Sequence, residues 1–418
     1  MIARQTARHA PGSLGAALAL VLALASVVVA QSPSITPQPT GGAATPAPLT
    51  CLPTPSTGPG ASPGASTGTC ASSLASFTWQ RADVPGIDTG GITVNYLAIN
   101  GAGDWSMLGN AFPDQRKSKA WHSTDGLTWT PAKLDWRAAK DAGGASGGIA
   151  VVDDQFLAIG NIGDGRTALS TTGEKWNVDK HGLDGGKRQA LPFAITTTPD
   201  GAATGGISGK TQTATDTVPA VWTTTNGTTW ERTELPPSGN AFITAIAATP
   251  AGLLAAGAQG AFGVDGLTRT QAPALWVAPD GVTWRSVPLP FVGDGALLRS
   301  LTATKSGLLL VLNDYRDKAA YAGTIWSSTD GLAWHQVFST EPYLLMASYG
   351  PLGTFMSTPT KLLRSVDDGA TWTETQLPAA VAGTFNTLLA QTPDGRLVVG
   401  YYAPDNSGSS LWVGTPTP

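Results

Sequence analysis

One short pattern recurs along this chain: a glycine followed three residues later by a tryptophan, with Asp or Asn just ahead of the glycine in most copies. It reads HSTDGLTW (122–129), STTGEKW (170–176), TTTNGTTW (223–230), VAPDGVTW (277–284), SSTDGLAW (327–334) and SVDDGATW (365–372). A repeat of fixed period constrains a fold strongly, because each copy is a unit that buries its apolar face only against its neighbours. Asp-Gly or Asn-Gly between β-branched and aromatic residues is the chemistry of a tight hairpin. Four copies carry a second tryptophan eight residues earlier, at Trp121, Trp222, Trp276 and Trp326, so each arm of the hairpin has one. Ala168 and Arg364 take that first-arm place in two copies, and only Trp105 and Trp136 fall outside the framework.

A second turn recurs upstream, as TTTPDG (196–201), AATPAG (247–252), TATKSG (302–307) and AQTPDG (390–395), each between apolar runs. A unit is therefore a meander of four short strands, and residues 75–418 divide into seven units of about 49 residues. Two incomplete pieces remain. LWVG at Leu411 has no turn after it, and SFTWQRADVP from Ser76 carries Trp79 ahead of any complete copy. Joined, they make one blade. The expected fold is all-β: a seven-bladed β-propeller of four-stranded antiparallel blades over 75–418, closed by an N-terminal strand that completes the last blade and leaves no open sheet edge.

Residues 1–30 read as a signal peptide, with Arg4 and Arg8 ahead of an apolar run from Leu14 to Val29 and small residues at Val28-Val29-Ala30. An uncleaved signal anchor is the alternative. Residues 31–74 are a Pro/Thr/Ser/Gly/Ala-rich linker that lacks the apolar surface to fold. Its Cys51 and Cys70 form a possible disulfide in an oxidising exterior, with pairing to another chain as the rival. The expected location is secreted or cell-surface, at a bacterial-type exterior, with no membrane span after the N-terminal segment and a monomeric state. Lys+Arg 25 against Asp+Glu 29 gives a net charge of -4, which disfavours a nucleic-acid partner. With four histidines and no phosphate loop, nucleophile elbow, H-E-x-x-H or calcium loop, no cofactor and no metal are expected.

The copy Ser365-Val-Asp367-Asp-Gly369-Ala-Thr-Trp372 matches S-x-D-x-G-x-x-W and resembles the Asp-box of the BNR repeat family, found in sialidases, sortilin-type receptors, xyloglucan-cleaving enzymes and the photosystem II assembly factor group. The other five copies read as degenerate boxes, lacking the Asp two residues before the glycine. The resemblance implies a structural role for Asp125, Gly126, Trp129, Trp176, Gly227, Trp230, Asp280, Gly281, Trp284, Asp330, Gly331, Trp334, Ser365, Asp367, Gly369 and Trp372, on the face opposite the usual ligand site. Sialidases of this type need an Arg-Ile-Pro-like motif, and Arg81-Ala-Asp-Val-Pro85 is not one. No catalytic residue is carried over.

In a four-stranded meander both recurring turns share one face, and the variable connections share the other. Loops on a rigid scaffold are where binding usually resides, so the candidate ligand-binding residues are Trp136, Arg137, Arg166, Arg188, Arg299, Asp314, Tyr315 and Arg316. Trp136 either stacks on a sugar ring or covers a blade. Arg299, in the innermost run ALLRSL (296–301), points along or into the central channel, in a paired structural role or an anion-binding one. Asp314 to Asp317 supply carboxylates, a phenol and a guanidinium at one rim. The functional expectation is an exported, non-catalytic propeller that binds a protein or glycan partner through its variable face. The alternatives are a glycoside hydrolase with two carboxylates there and an extracytoplasmic assembly factor.

Overall fold

The computed structural model describes residues 76–89, 91–111, 118–136, 146–160, 165–179, 181–184, 189–209, 218–236, 241–249, 251–260, 272–290, 296–314, 322–340, 343–359, 361–381, 385–403 and 408–417. Cys51 and Cys70, with the signal and linker assignments, lie outside the described residues. Seven four-stranded antiparallel sheets form, each a simple meander. Blade 1 holds Ile92–Ile99, Trp105–Ala111, Ser118–Ser123 and Thr130–Pro131. Blade 2 holds Ser146–Val152, Gln155–Gly160, Thr167–Ser170 and Asn177–Val178. Blade 3 holds Gln189–Thr198, Gly201–Gly209, Val218–Thr224 and Glu231–Glu234. Blade 4 holds Ala241–Thr249, Gly252–Gln259, Ala272–Ala278 and Arg285–Val287. Blade 5 holds Ala296–Ala303, Leu308–Asp314, Ala322–Ser328 and His335–Thr340. Blade 6 holds Met346–Gly350, Gly353–Ser357, Leu362–Ser365 and Thr373–Thr375. Blade 7 holds Phe385–Gln391, Leu397–Tyr402 and Ser409–Pro416, and its fourth strand is Phe77–Arg81. The closing register runs from Phe77 opposite Pro416 to Arg81 opposite Trp412.

Each first strand touches the first strands of the blades on both sides, so these seven surround the axis and the short fourth strands form the rim. Small and branched residues fill the space between blades. Leu254, Leu275, Leu310 and Trp334, from blades 4 and 5, share one core, while Val94, Trp121 and Leu411 join blade 7 to blade 1. Polar side chains stitch neighbours as well. Asn100 Nδ2 donates to Asp154 O and Thr171 O across blades 1 and 2. Asn313 and the Leu344 backbone exchange two bonds across blades 5 and 6, at 2.6 and 3.0 Å. Arg396 of blade 7 donates to Asp125 O and lies 5.0 Å above the Trp105 ring of blade 1.

The recurring hairpin explains its own composition. In blade 1 Ser123 Oγ accepts the Gly126 N–H at 2.9 Å, and Asp125 Oδ1 accepts Ser123 Oγ–H and the N–H groups of Leu127 and Thr128. Ser328-Asp330 and Thr224-Asn226 repeat this set. Ser365-Asp367 keeps the serine bonds and the N–H of Thr371 with one more residue, Asp368, held at φ 53°, while the Ala370 N–H goes to the Asp367 main-chain carbonyl. These shorter copies are thus not degenerate: an Asp or Asn directly before the glycine performs the bonding that the longer box performs one residue earlier. Asp280 keeps its two N–H acceptances, although Ala278 stands where the serine would be. The Trp129, Trp176, Trp334 and Trp372 indole N–H groups each donate to the carbonyl of their own turn's glycine. Three first-arm tryptophans instead hold the connection entering their blade, Trp121 donating to Pro85 O, Trp222 to Asp184 Oδ1 and Trp276 to Pro236 O, whereas Trp326 and Trp412 donate to hydroxyls of their own strands, Thr324 and Ser410.

The first-to-second and third-to-fourth turns share one end of the ring, called here the box face; the variable connections share the other. Both described ends of the chain are on the box face, where the Ser76 and Thr417 hydroxyls meet at 2.5 Å.

Candidate functional site at the channel mouth

Six of the seven first strands carry a bulge at one shared position. The extra residues are Asn95, Gly147, Phe193, Thr244, Arg299 and Thr387. Each precedes by five residues the one that opens the box-face turn, respectively Asn100, Val152, Thr198, Thr249, Thr304 and Thr392. In blade 6 Leu345 takes the same place, its N–H bonded to Ser357 O just ahead of the strand. At about 3.3 Å per residue the ring of bulges lies about 17 Å from the box face, nearer the variable connections, at the second to fifth residue of the first strands.

The bend has a cause in the adjoining strand. Gly206 and Gly257 face the bulges of blades 3 and 4, and a Cβ on either would overlap a first-strand carbonyl oxygen, of Leu191 and Phe242 respectively. Close backbone approach therefore requires glycine there. A bulge re-aims the side chain at which it occurs. Asn95, Phe193, Thr244, Arg299, Leu345 and Thr387 are all partly exposed, and Arg299 is the one ionisable residue of the ring.

Arg299 has a buried Nε that makes no hydrogen bond, and the Thr387 Oγ1 is in the same condition. Its bulge is fixed from the neighbouring blade: Thr244 Oγ1 donates to the Leu298 carbonyl at 3.2 Å. A partly exposed guanidinium with an unused donor, on a braced backbone, can receive a carboxylate or other oxyanion. Tyr96, beside Asn95, has its phenol pushed up to about 12 by burial, and burial pushes Tyr401 up too. Both stay protonated at neutral pH, opposite to an activated phenolate.

Other predicted site residues are placed differently. Asp314 ends the second strand of blade 5, opposite Ala296, at the same end of the same sheet as Arg299. Trp136 is 4% exposed and packs with Leu108, Phe156 and Trp176 between blades 1 and 2, so its ring covers the blades and offers no open stacking surface. Arg166 is 5% exposed at the channel-mouth end of blade 2 and is enclosed by protein. Arg137, Arg188, Tyr315 and Arg316 lie outside the described residues. An unforeseen cluster surrounds Asp184, which accepts from Trp222 Nε1 and Ser208 Oγ and lies 3.5 Å from Arg232 Nε. Its three partners anchor the connection into blade 3. An open depression between Ala132–Asp135 and Lys175–Val178 is on the rim, away from the channel. Among the described residues no group of three or more His, Cys, Asp or Glu could hold a metal ion.

No protein-family profile matches the chain. No curated protein does either. Solved structures do. YCF48 from Cyanidioschyzon merolae is 14% identical with a TM-score of 0.52, over 80% of this chain and 98% of that one. An α-L-arabinofuranosidase from Fusarium graminearum, complexed with an iminosugar inhibitor, is 12% identical with a TM-score of 0.44, over 82% and 98%. What this chain shares with YCF48 is its fold, a ring of four-stranded blades.

Proposed function

We propose that this protein is a non-catalytic binding propeller of the Asp-box kind, exported, and that it receives an anionic group of a protein or glycan partner at the channel mouth. The observation that carries this reading is the ring of bulges, whose single charge, Arg299, has a braced backbone and an unused buried Nε–H. Export is inferred from the residues around Arg4, Arg8 and Leu14–Val29. Fold alone does not fix function, so the reading rests on the site.

The test is a glycan array carrying carboxylated, sulfated and neutral sugars, with a panel of fluorogenic glycosides that includes a sialoside. Acidic glycans are expected to bind the wild-type protein, and Arg299→Gln to weaken them by about 10- to 100-fold, the range of a charge-assisted hydrogen bond, at unchanged Tm. Turnover of any glycoside would replace the reading with a hydrolase. Binding indifferent to Arg299→Gln would move the site away from the mouth, and silence on both panels would leave an acidic protein segment as the ligand to screen.

A further inference from the structure

Four large apolar side chains are exposed among the described residues: Val282, Leu332, Tyr349 and Val366. All four are on the box face, on three consecutive blades. Val282, Leu332 and Val366 sit in the third-to-fourth turns of blades 4, 5 and 6, and Tyr349 is at the first-to-second turn of blade 6. Turn formation does not require them. The hairpin uses only the backbone N–H at the place of Val282 and Leu332, and blade 3 carries Thr228 there with the same bond. Val282 and Val366 are 67% and 71% exposed, so they serve no core either. Exposed apolar residues confined to one sector mark an interaction surface.

The same face is acidic in both sectors. In blades 1 to 3 it exposes Asp125, Asp153, Asp154, Glu174 and Asp200, against Lys175, and in blades 4 to 6 Asp280, Asp330 and Asp367, against Lys305. A second copy of this chain would set these carboxylates against their equivalents, and an uncharged apolar partner would strip them of water without replacement. A partner that satisfies this face has apolar side chains to meet the exposed valines and leucine and cations to meet the carboxylates around the ring. We infer that the box face docks a cationic, amphipathic polypeptide segment, its apolar residues over Val282, Leu332 and Val366 and its Lys or Arg against the surrounding carboxylates. This surface is at the opposite end of the ring from Arg299, so the two binding readings stand separately.

The probe is a fluorescein-labelled synthetic peptide, alternating Leu and Ser in one half and Lys and Ser in the other, titrated with the full-length protein in an anisotropy assay. Controls replace every Lys by Glu, or every Leu by Ser. Only the Leu/Lys peptide is expected to bind. Its Kd should rise about tenfold or more in the triple variant Val282→Ser, Leu332→Ser, Val366→Ser, and again in Asp153→Asn, Glu174→Gln, Asp200→Asn, with Tm unchanged in both. Arg299→Gln should leave it untouched, which separates failure here from failure at the mouth. Equal binding of the Ser/Lys peptide, indifference to either triple variant, or no binding of the Leu/Lys peptide would each overturn the inference. Self-association that the apolar triple variant abolishes would assign the surface to a second copy instead.

Discussion

At the scale of single residues, two glycines show how differently the same residue type can be demanded. Gly257 sits where the second strand of blade 4 presses on the bulge, and a Cβ there would overlap the Phe242 carbonyl oxygen. Gly281 has φ 74° in an open turn, with nothing near the place of a Cβ. Gly257→Ala is expected to cost about 2–4 kcal/mol through displaced backbone, and Gly281→Ala about 1 kcal/mol of left-handed strain; urea unfolding of the two variants checks the order. The turn carboxylates carry a pH signature. N–H groups of Ala333 and Leu332 hold Asp330 below the usual range, and Thr283 and Val282 bring Asp280 down to about 2. Because folding lowers these pKa values, their contribution is complete above the unfolded value of about 3.9 and is lost as pH falls toward the folded one. The urea midpoint should therefore be level from pH 7 to about 5 and decline below about 4. Asp330→Asn, which retains the acceptor that Asn226 supplies in blade 3, should lessen that decline, whereas Asp330→Ala should lower Tm by about 2–4 °C at pH 7 and by less as pH falls below about 4.

Among the elements, the strand Phe77–Arg81 has the largest leverage for its five residues. It completes blade 7, its Trp79 indole donates to Gln376 O, and the Trp79 ring lies against Gly414. Deleting residues 76–81 should expose the edge of Ser409–Pro416 and replace one cooperative melting transition by aggregation; a soluble, cooperatively melting deletion would disprove closure by this strand. That closure was legible in the sequence, because SFTWQRADVP and LWVG, with Trp79 and Trp412, are the two half-hairpins that remain when six hairpins are assigned. The shortened boxes were misread because a pattern written as letters counts spacing, whereas Asp125 and Asp367 are equivalent by which N–H groups they accept. Trp136, after a fourth strand in a polar stretch, left stacking and covering both open; the covering role holds because blade 2 packs against it. Of the bulge ring only Arg299 stands out in the sequence, as a charge within an apolar innermost run rather than as a bulge. The others are ordinary strand residues whose shared level emerges only when pairing with the second strand fixes register.

For the whole molecule, the ring separates two kinds of chemistry along its axis. The ring of bulges has one cation, Arg299, among neutral side chains, at a level set by backbone irregularities. The box face has carboxylates around the ring and exposed valine, leucine and tyrosine on blades 4 to 6. Polar stitches join blade to blade, as at Asn100, Asn313 and Arg396, so the two ends are held by one closed scaffold rather than by independent modules.

The meeting of Ser76 and Thr417 beneath the ring gives the molecule a practical polarity. A bead, tag or fused domain joined directly at Ser76 or Thr417 hangs from the box face and crowds it, while the mouth points freely away. Biosensor layouts that tether the ring at these residues will therefore report on Arg299 with full access and under-report any ligand of the opposite side, so the two surfaces call for opposite choices of which molecule to immobilise.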